Sequence, residues 1–122
     1  MALSLLDDGN TGVIVGQVTA SGTTPSITTT DGAVTVAGDG SGAFTITYGS
    51  NFLSAPYVFV QVTDDNATYS TDALHGATVL SVATDTCVIN TFTAVTNGTA
   101  SDILSPLAEL DFQVLVIGKR DR

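Results

Sequence analysis

The stretch GAFTITYGSNFLSAPYVFVQVT, residues 42–63, decides the fold of this 122-residue chain. It holds two runs of alternating residues, separated by a bend with Gly49, Ser50, Asn51 and Pro56, which are turn and strand-start residues. Side chains of a β-strand point alternately to the two faces of a sheet, so each run is typical of a strand. In the first run, Phe44, Ile46 and Tyr48 share one face. In the second run, Val58, Val60 and Val62 share one face, and Tyr57, Phe59 and Gln61 share the opposite face.

Further short strands with turn residues between them lie on both sides of this stretch. We predict a strand at 13–18, a hairpin that joins 27–29 to 33–36 over Asp31-Gly32, and a hairpin that joins 78–83 to 87–93. A closing strand at 112–118 is apolar on both faces, which predicts that it is covered on both sides or lies at a subunit contact. Strands at this spacing, with no amphipathic helix, predict an all-β fold, either an antiparallel β-sandwich or a jelly-roll-like domain.

Two long connections and the start of the chain complete the predicted organisation. Residues 64–77 form a polar loop of a length often found in binding or assembly segments. Residues 94–111 form a second connection, with one helical turn in 103–108. We predict the sandwich domain over residues 25–122. Residues 1–24 before it are either a short N-terminal arm that packs on a neighbour or the first strand of the core.

The composition indicates that part of the surface is covered. Charged residues make up 12% of the chain and hydrophobic residues 43%, with a mean hydropathy of +0.36. A typical protein has about 25% charged residues. A small domain with so few charges and so much apolar surface is typical of a subunit in an oligomer. The alternative is a monomer of modest thermal stability with a surface rich in Thr and Ser.

The net charge is −9, and all three basic residues, Lys119, Arg120 and Arg122, lie in the last four positions. An acidic body repels the phosphates of nucleic acids and anionic lipids, so we expect neither nucleic acid nor membrane as a partner. The basic end either pairs with an acidic surface of another chain or is a solvated tail. The first residues lack the basic region of a secretory signal, so we expect synthesis in the cytoplasm.

Few residues are suited to catalysis. Cys87 is the only thiol and lies in an apolar run, which predicts a buried residue, and His75 is the only imidazole. The carboxylates Glu109 and Asp111 have the residue types of a glycosidase pair, but the chain has no Trp to line a sugar cleft. Asp64, Asp65, Asn66 and Asp72 offer oxygen ligands for a hard cation, although their spacing is not that of an EF-hand. We therefore predict no enzyme activity, no cofactor and no metal.

Two groups of segments resemble known virion proteins. Three segments are similar to small β-sandwiches on the virions of tailed bacteriophages. They are the run from Phe44 through Asn51-Phe52, Ala55-Pro56 and residues 58–62, then residues 79–89, and then residues 112–118. It also resembles the H-type lectin pattern, in which a Pro-x-Val-x-Val run precedes an apolar strand that ends in Gly. Residues 5–19 and Thr24-Pro25 look like the N-terminal segments of phage head-decoration and fibre proteins.

The resemblance implies a virion structural protein, a capsid decoration or cement protein that binds the outer shell as a homotrimer. Its partners would be other copies of the chain and the major capsid protein, and it would be located on the capsid surface. We expect Tyr57 and Phe59 at the oligomer contact. We expect the shell contact at the two ends of the chain, in Leu3, Leu5, Leu6, Lys119, Arg120 and Arg122.

Two other functions are compatible with the sequence. The first is a tip domain of a phage tail fibre or appendage that binds host-surface glycans, as the lectin resemblance implies. The second is a small hydrolase that uses Asp64, Asp72 or His75, which requires a deep cleft lined by these side chains.

Overall fold

The structure is a computed structural model that describes residues 11–29, 31–63, 73–96, 103–104 and 108–120. These residues form nine β-strands and no helix. The strands are β1 (Thr11–Thr19), β2 (Ser26–Thr29), β3 (Thr35–Gly38), β4 (Ala43–Thr47), β5 (Tyr57–Val62), β6 (Ala73–Val82), β7 (Thr86–Thr96), β8 (Ile103–Leu104) and β9 (Phe112–Lys119). No membrane-crossing helix of sufficient length and apolarity occurs in these parts of the chain.

The strands form two antiparallel sheets that pack face to face. Sheet A has the order β2-β1-β9-β5, and sheet B has the order β3-β4-β7-β6, with β8 paired to the far end of β7. The edge strands β5 and β6 lie beside each other, and so do β2 and β3. The all-β sandwich predicted from the sequence is confirmed.

The core lies between the two sheets and comes from the predicted alternation. Phe44, Ile46 and Tyr48 are buried on the sheet B side, and Phe112, Val114 and Val116 face them from sheet A. The rings of Phe44 and Phe112 meet edge to face with centroids 5.1 Å apart. This geometry is favourable for aromatic pairs and joins the two sheets at the centre of the core.

A buried hydroxyl holds the segment that leads into β9. The Thr91 side chain of β7 donates to the carbonyl of Ala108 and accepts from the amide of Leu110 at 3.3 Å. The amide of Thr91 donates to the carbonyl of Gly42 at 2.8 Å. Gly42 has φ +112°, and a Cβ there would clash with the backbone of Ala108. Residues 108–110 are therefore fixed against sheet B just before the chain crosses to sheet A.

The hairpin predicted over residues 27–36 is wrong. β2 pairs with β1 in sheet A, while β3 pairs with β4 in sheet B. The Asp31-Gly32 turn therefore connects the two sheets instead of two neighbours in one sheet. The hairpin predicted over residues 84–86 is confirmed, because β6 and β7 pair directly across that turn.

Parts of the two predicted connections are strands. β6 already begins at Ala73, so residues 73–77 are not loop, and residues 64–72 lie outside the described residues. Ile103 and Leu104 pair with the end of β7, so the predicted helical turn is wrong at these two positions. Within residues 1–24, Thr11–Thr19 forms a central strand of sheet A, and residues 1–10 lie outside the described part.

Candidate protein interface

The outer face of sheet A carries aligned rows of side chains from β1, β9 and β5. The antiparallel registers place residues of the three strands side by side, with β9 in the middle. The first row is Val13, Ile117 and Tyr57, the second row is Val15, Leu115 and Phe59, and the glutamine row is Gln17, Gln113 and Gln61. We call these nine residues the A face.

The two apolar rows of the A face are exposed. The exposed fractions are 65% for Tyr57, 59% for Phe59, 55% for Val15, 46% for Val13 and 37% for Leu115. These are five of the seven large hydrophobic residues that are exposed in the described parts of the chain. Taking roughly 200 Å² for an aromatic side chain and less for Val and Leu, the uncovered apolar area is on the order of 500 Å². The largest apolar patch on a typical monomeric protein is about 300–600 Å² and is often functional, so the A face is the candidate contact surface of the described residues.

The glutamine row closes one end of the apolar rows. The Gln17 amide nitrogen donates to the hydroxyl of Thr63 at 2.8 Å, so this side chain reaches across β9 towards β5. Gln61 and Gln113 are exposed beside it. Together with Phe59 and Leu115, the row lines an open depression of about 500 Å³. The depression is therefore apolar on one side and lined with carboxamides on the other.

No charged residue lies within the A face, although the chain has a net charge of −9. In the same register, Lys119 follows the first row at one end. Asp111 precedes β9 at the other end, where its carboxylate accepts the amide of Ala20 at 2.8 Å. The acidic charge of the molecule is thus excluded from this surface, which lowers the electrostatic cost of bringing two copies together.

The structure places both predicted oligomer-contact residues, Tyr57 and Phe59, in adjacent rows of the A face. Sequence reasoning missed Val13, Val15 and Leu115 as members of the same surface. The apolar outer side of the closing strand was the one available signal, since a strand that is apolar on both faces needs a cover on each. The contact itself stays a prediction.

Arg120, predicted at the shell contact, is engaged within the chain. Its guanidinium lies 4.6 Å from the centroid of the Phe52 ring, bonds the carbonyl and hydroxyl of Ser50, and forms a 3.7 Å ion pair with Asp31. The side chain crosses β1 at Gly12, where a Cβ would clash with it. Arg120 therefore joins the end of sheet A to the loops that lead into and out of sheet B.

The other predicted shell contacts are placed only in part. Lys119 ends β9 and is half-buried. Leu3, Leu5, Leu6 and Arg122 lie outside the described residues. The predicted shell contact of these residues stays a prediction.

Three of the residues considered for catalysis, His75, Glu109 and Asp111, have structural partners, while Asp64 and Asp72 lie outside the described residues. His75 lies on β6, with Nδ1 3.1 Å from the hydroxyl of Thr93 on β7. Glu109 accepts the amide of Gly22 at 3.1 Å, as Asp111 accepts that of Ala20, so both carboxylates hold the turn after β1. Among the described residues, no three His, Cys, Asp or Glu side chains converge on a point where a metal could bind. The cation hypothesis concerned residues 64–72, which lie outside them.

Cys87 is buried, as predicted. Burial raises the pKa of its thiol, and the neighbouring Tyr48 hydroxyl partly offsets this shift. Burial also raises the pKa of Tyr48. A neutral thiol without access to solvent is a poor nucleophile, so we assign Cys87 to the core.

Comparison of the chain with models of protein families, with curated proteins and with solved structures finds no match.

Proposed function

We propose that this protein is a virion structural protein, a capsid decoration protein that self-associates as a homotrimer and binds the outer shell of a tailed phage. The observation that carries the proposal is the A face, an exposed apolar surface without charge on a strongly acidic domain. Such a surface is suited to hold subunits together. The resemblance of residues 44–62, 79–89 and 112–118 to phage virion β-sandwiches supports the placement of this assembly on a phage capsid.

The size of the A face is suited to this role. A stable interface buries about 800 Å² on each partner, of which roughly 60% is apolar. The exposed apolar area of the A face, on the order of 500 Å², equals the apolar share of one such contact, summed over the two neighbours that each copy has in a trimer. The glutamines then contribute the polar part of the contact.

The first test is the mass of the purified protein by size-exclusion chromatography with light scattering. We expect a particle of three 12.4 kDa chains at high concentration, which dissociates on dilution. A mass of one chain at every concentration would contradict the oligomer. The shell contact is tested separately by mixing the protein with purified heads of the virus that encodes it, and we expect it to co-sediment with the heads.

A second candidate function is supported by the depression beside the glutamine row. Its volume of about 500 Å³ lies in the range of small-molecule sites. Carboxamides next to an aromatic ring, here Phe59, are suited to bind a sugar, in agreement with the tip-domain alternative. The two functions exclude each other at this face, because a glycan site must stay open. Binding to a glycan array by a protein that remains monomeric would favour the second.

A further inference from the structure

We infer that the copies pack row on row, with the symmetry axis of the oligomer running along β9, so that the glutamine rows of all copies meet in one layer. This inference rests on the proposed self-association. It goes further by assigning the orientation of the subunits and the residues that determine it, Gln17, Gln61 and Gln113. The occupant of the A face is thus another copy of this chain.

The chemistry of the glutamine row suits another copy of the same row. A carboxamide has one acceptor oxygen and two donor hydrogens, so a row of carboxamides is complementary to itself. A carboxylate row would repel its copy, and an apolar row would leave the amides of a partner without hydrogen bonds. The bond from Gln17 to Thr63 already fixes one end of the row before association.

Two orientations bring two A faces together, and they differ in which rows meet. With the axis along the strands, each row meets its own copy. With the axis across the strands, which is possible for two copies only, the glutamine row meets the first row: Gln17 faces Val13, Gln113 faces Ile117 and Gln61 faces Tyr57 of the other copy. Lys119 then approaches Asp111 of the other copy.

The cost of the crossed orientation exceeds its gain. A buried carboxamide without a partner weakens association by about 5- to 150-fold. On each face Gln113 would lie against Ile117 without a partner, whereas Gln17 keeps its bond to Thr63 and Gln61 meets the Tyr57 hydroxyl. An ion pair at the rim of the contact, such as Lys119 with Asp111, strengthens it by at most about fivefold. An axis parallel to β9 is therefore favoured. Three copies around such an axis form a three-sided prism with the A faces on its inside.

Cross-linking of variants with one added cysteine, beside the buried Cys87, tests this orientation. Gln113 and Ile117 both lie on β9 and are about 13 Å apart along the strand. A bis-maleimide with a shorter reach distinguishes 113–113 from 113–117 proximity. We expect Ile117→Cys, which keeps the whole glutamine row, to cross-link with itself, and Gln113→Cys to do the same. In a mixture with Ile117→Cys, cross-linked peptides should contain the 113–113 pair at least about tenfold more often than the 113–117 pair.

Three controls distinguish a wrong interface from a wrong orientation of the copies. Leu115→Cys lies in the middle row and cross-links with itself in either orientation, so its failure to do so would contradict the proposed interface. The wild-type chain, with only the buried Cys87, and Thr47→Cys, exposed on sheet B, should not cross-link. Circular dichroism establishes that each variant is folded. If Leu115→Cys reacts and the mixture gives mainly the 113–117 pair, the orientation is wrong while the interface stands.

Discussion

Replacing Phe59 with alanine should weaken the oligomer and leave the fold of the subunit nearly unchanged. Phe59 is 59% exposed, at the β5 end of the second apolar row, with Leu115 beside it on β9. For an aromatic side chain of roughly 200 Å², this exposure leaves about 120 Å² that a partner would cover. At about 25 cal/mol per Å², its burial contributes about 3 kcal/mol to association for each copy.

The methyl group of alanine keeps a small part of that area, so we expect a loss of about 2–3 kcal/mol per copy. This corresponds to a dissociation constant about 30- to 150-fold higher for each contact. The free energy of unfolding of the separated subunit should change by less than about 1 kcal/mol, because Phe59 lies outside the core.

Sedimentation equilibrium over a dilution series measures the association, and urea unfolding of dilute protein measures the subunit. Leu80→Ala is the matched control, since Leu80 is 63% exposed but lies at the bulge in β6, on the other sheet. Equal dissociation constants for wild-type and Phe59→Ala would refute the assignment of the A face. A similar weakening by Leu80→Ala would show that the effect is not specific to this face.

Three further variants test the contacts that hold the sandwich. Arg120→Ala should lower the free energy of unfolding by about 2 kcal/mol, because it removes the stacking on Phe52 and the hydrogen bond to the Ser50 carbonyl. Urea titration measures this loss, and an unchanged midpoint would contradict a stabilising role of Arg120. Thr91→Val keeps the volume but leaves the Ala108 carbonyl and the Leu110 amide unpaired, so the same titration should show a loss of about 2 kcal/mol. The backbone amides of Ser41 and Ala43 lower the pKa of Asp39. The contribution of the Asp39 carboxylate to folding stability is therefore present above about pH 4 and is lost as the pH falls through the lowered pKa. The stability difference between wild type and Asp39→Asn should therefore be largest near neutral pH and should vanish in acid. A difference in urea midpoint that stays constant from pH 2 to 7 would contradict this.

Local sequence patterns were sufficient to predict the strands of the core. The alternation of Phe44, Ile46 and Tyr48 predicted a buried face, and these residues are buried. The turn over residues 84–86 joins strands that are adjacent in both the chain and the sheet, so its hairpin was predictable. Both predictions depend only on residues a few positions apart.

The errors arose where the partner of a strand lies elsewhere in the chain. Asp31-Gly32 has the residues of a hairpin turn, but β2 pairs with β1, where Gly16 leaves room for the side chain of Ile27. At the start of β6, the ring of Phe92 covers Gly76 across the strand pair and fills the place of its missing side chain. Strand propensity alone does not detect such support, which explains why residues 73–77 were predicted as loop.

The candidate interface was predictable only in part for the same reason. Tyr57 and Phe59 have apolar side chains on the outer face of their own strand, which the alternation shows. Their alignment with Val15 and Leu115 depends on the register between three strands that are far apart in the chain. The glutamine row follows from that register and has no local signal.

The most direct test of the account is oxidative footprinting of the A face over a dilution series. In dilute protein, hydroxyl radicals should modify Tyr57 and Phe59 readily, since both side chains are more than half exposed. As the protein associates, we expect both to become protected, while Leu80, equally exposed but on the other sheet, reacts as before. If Tyr57 and Phe59 are modified to the same extent at all concentrations, the A face is not covered by copies of the chain and the central claim is wrong.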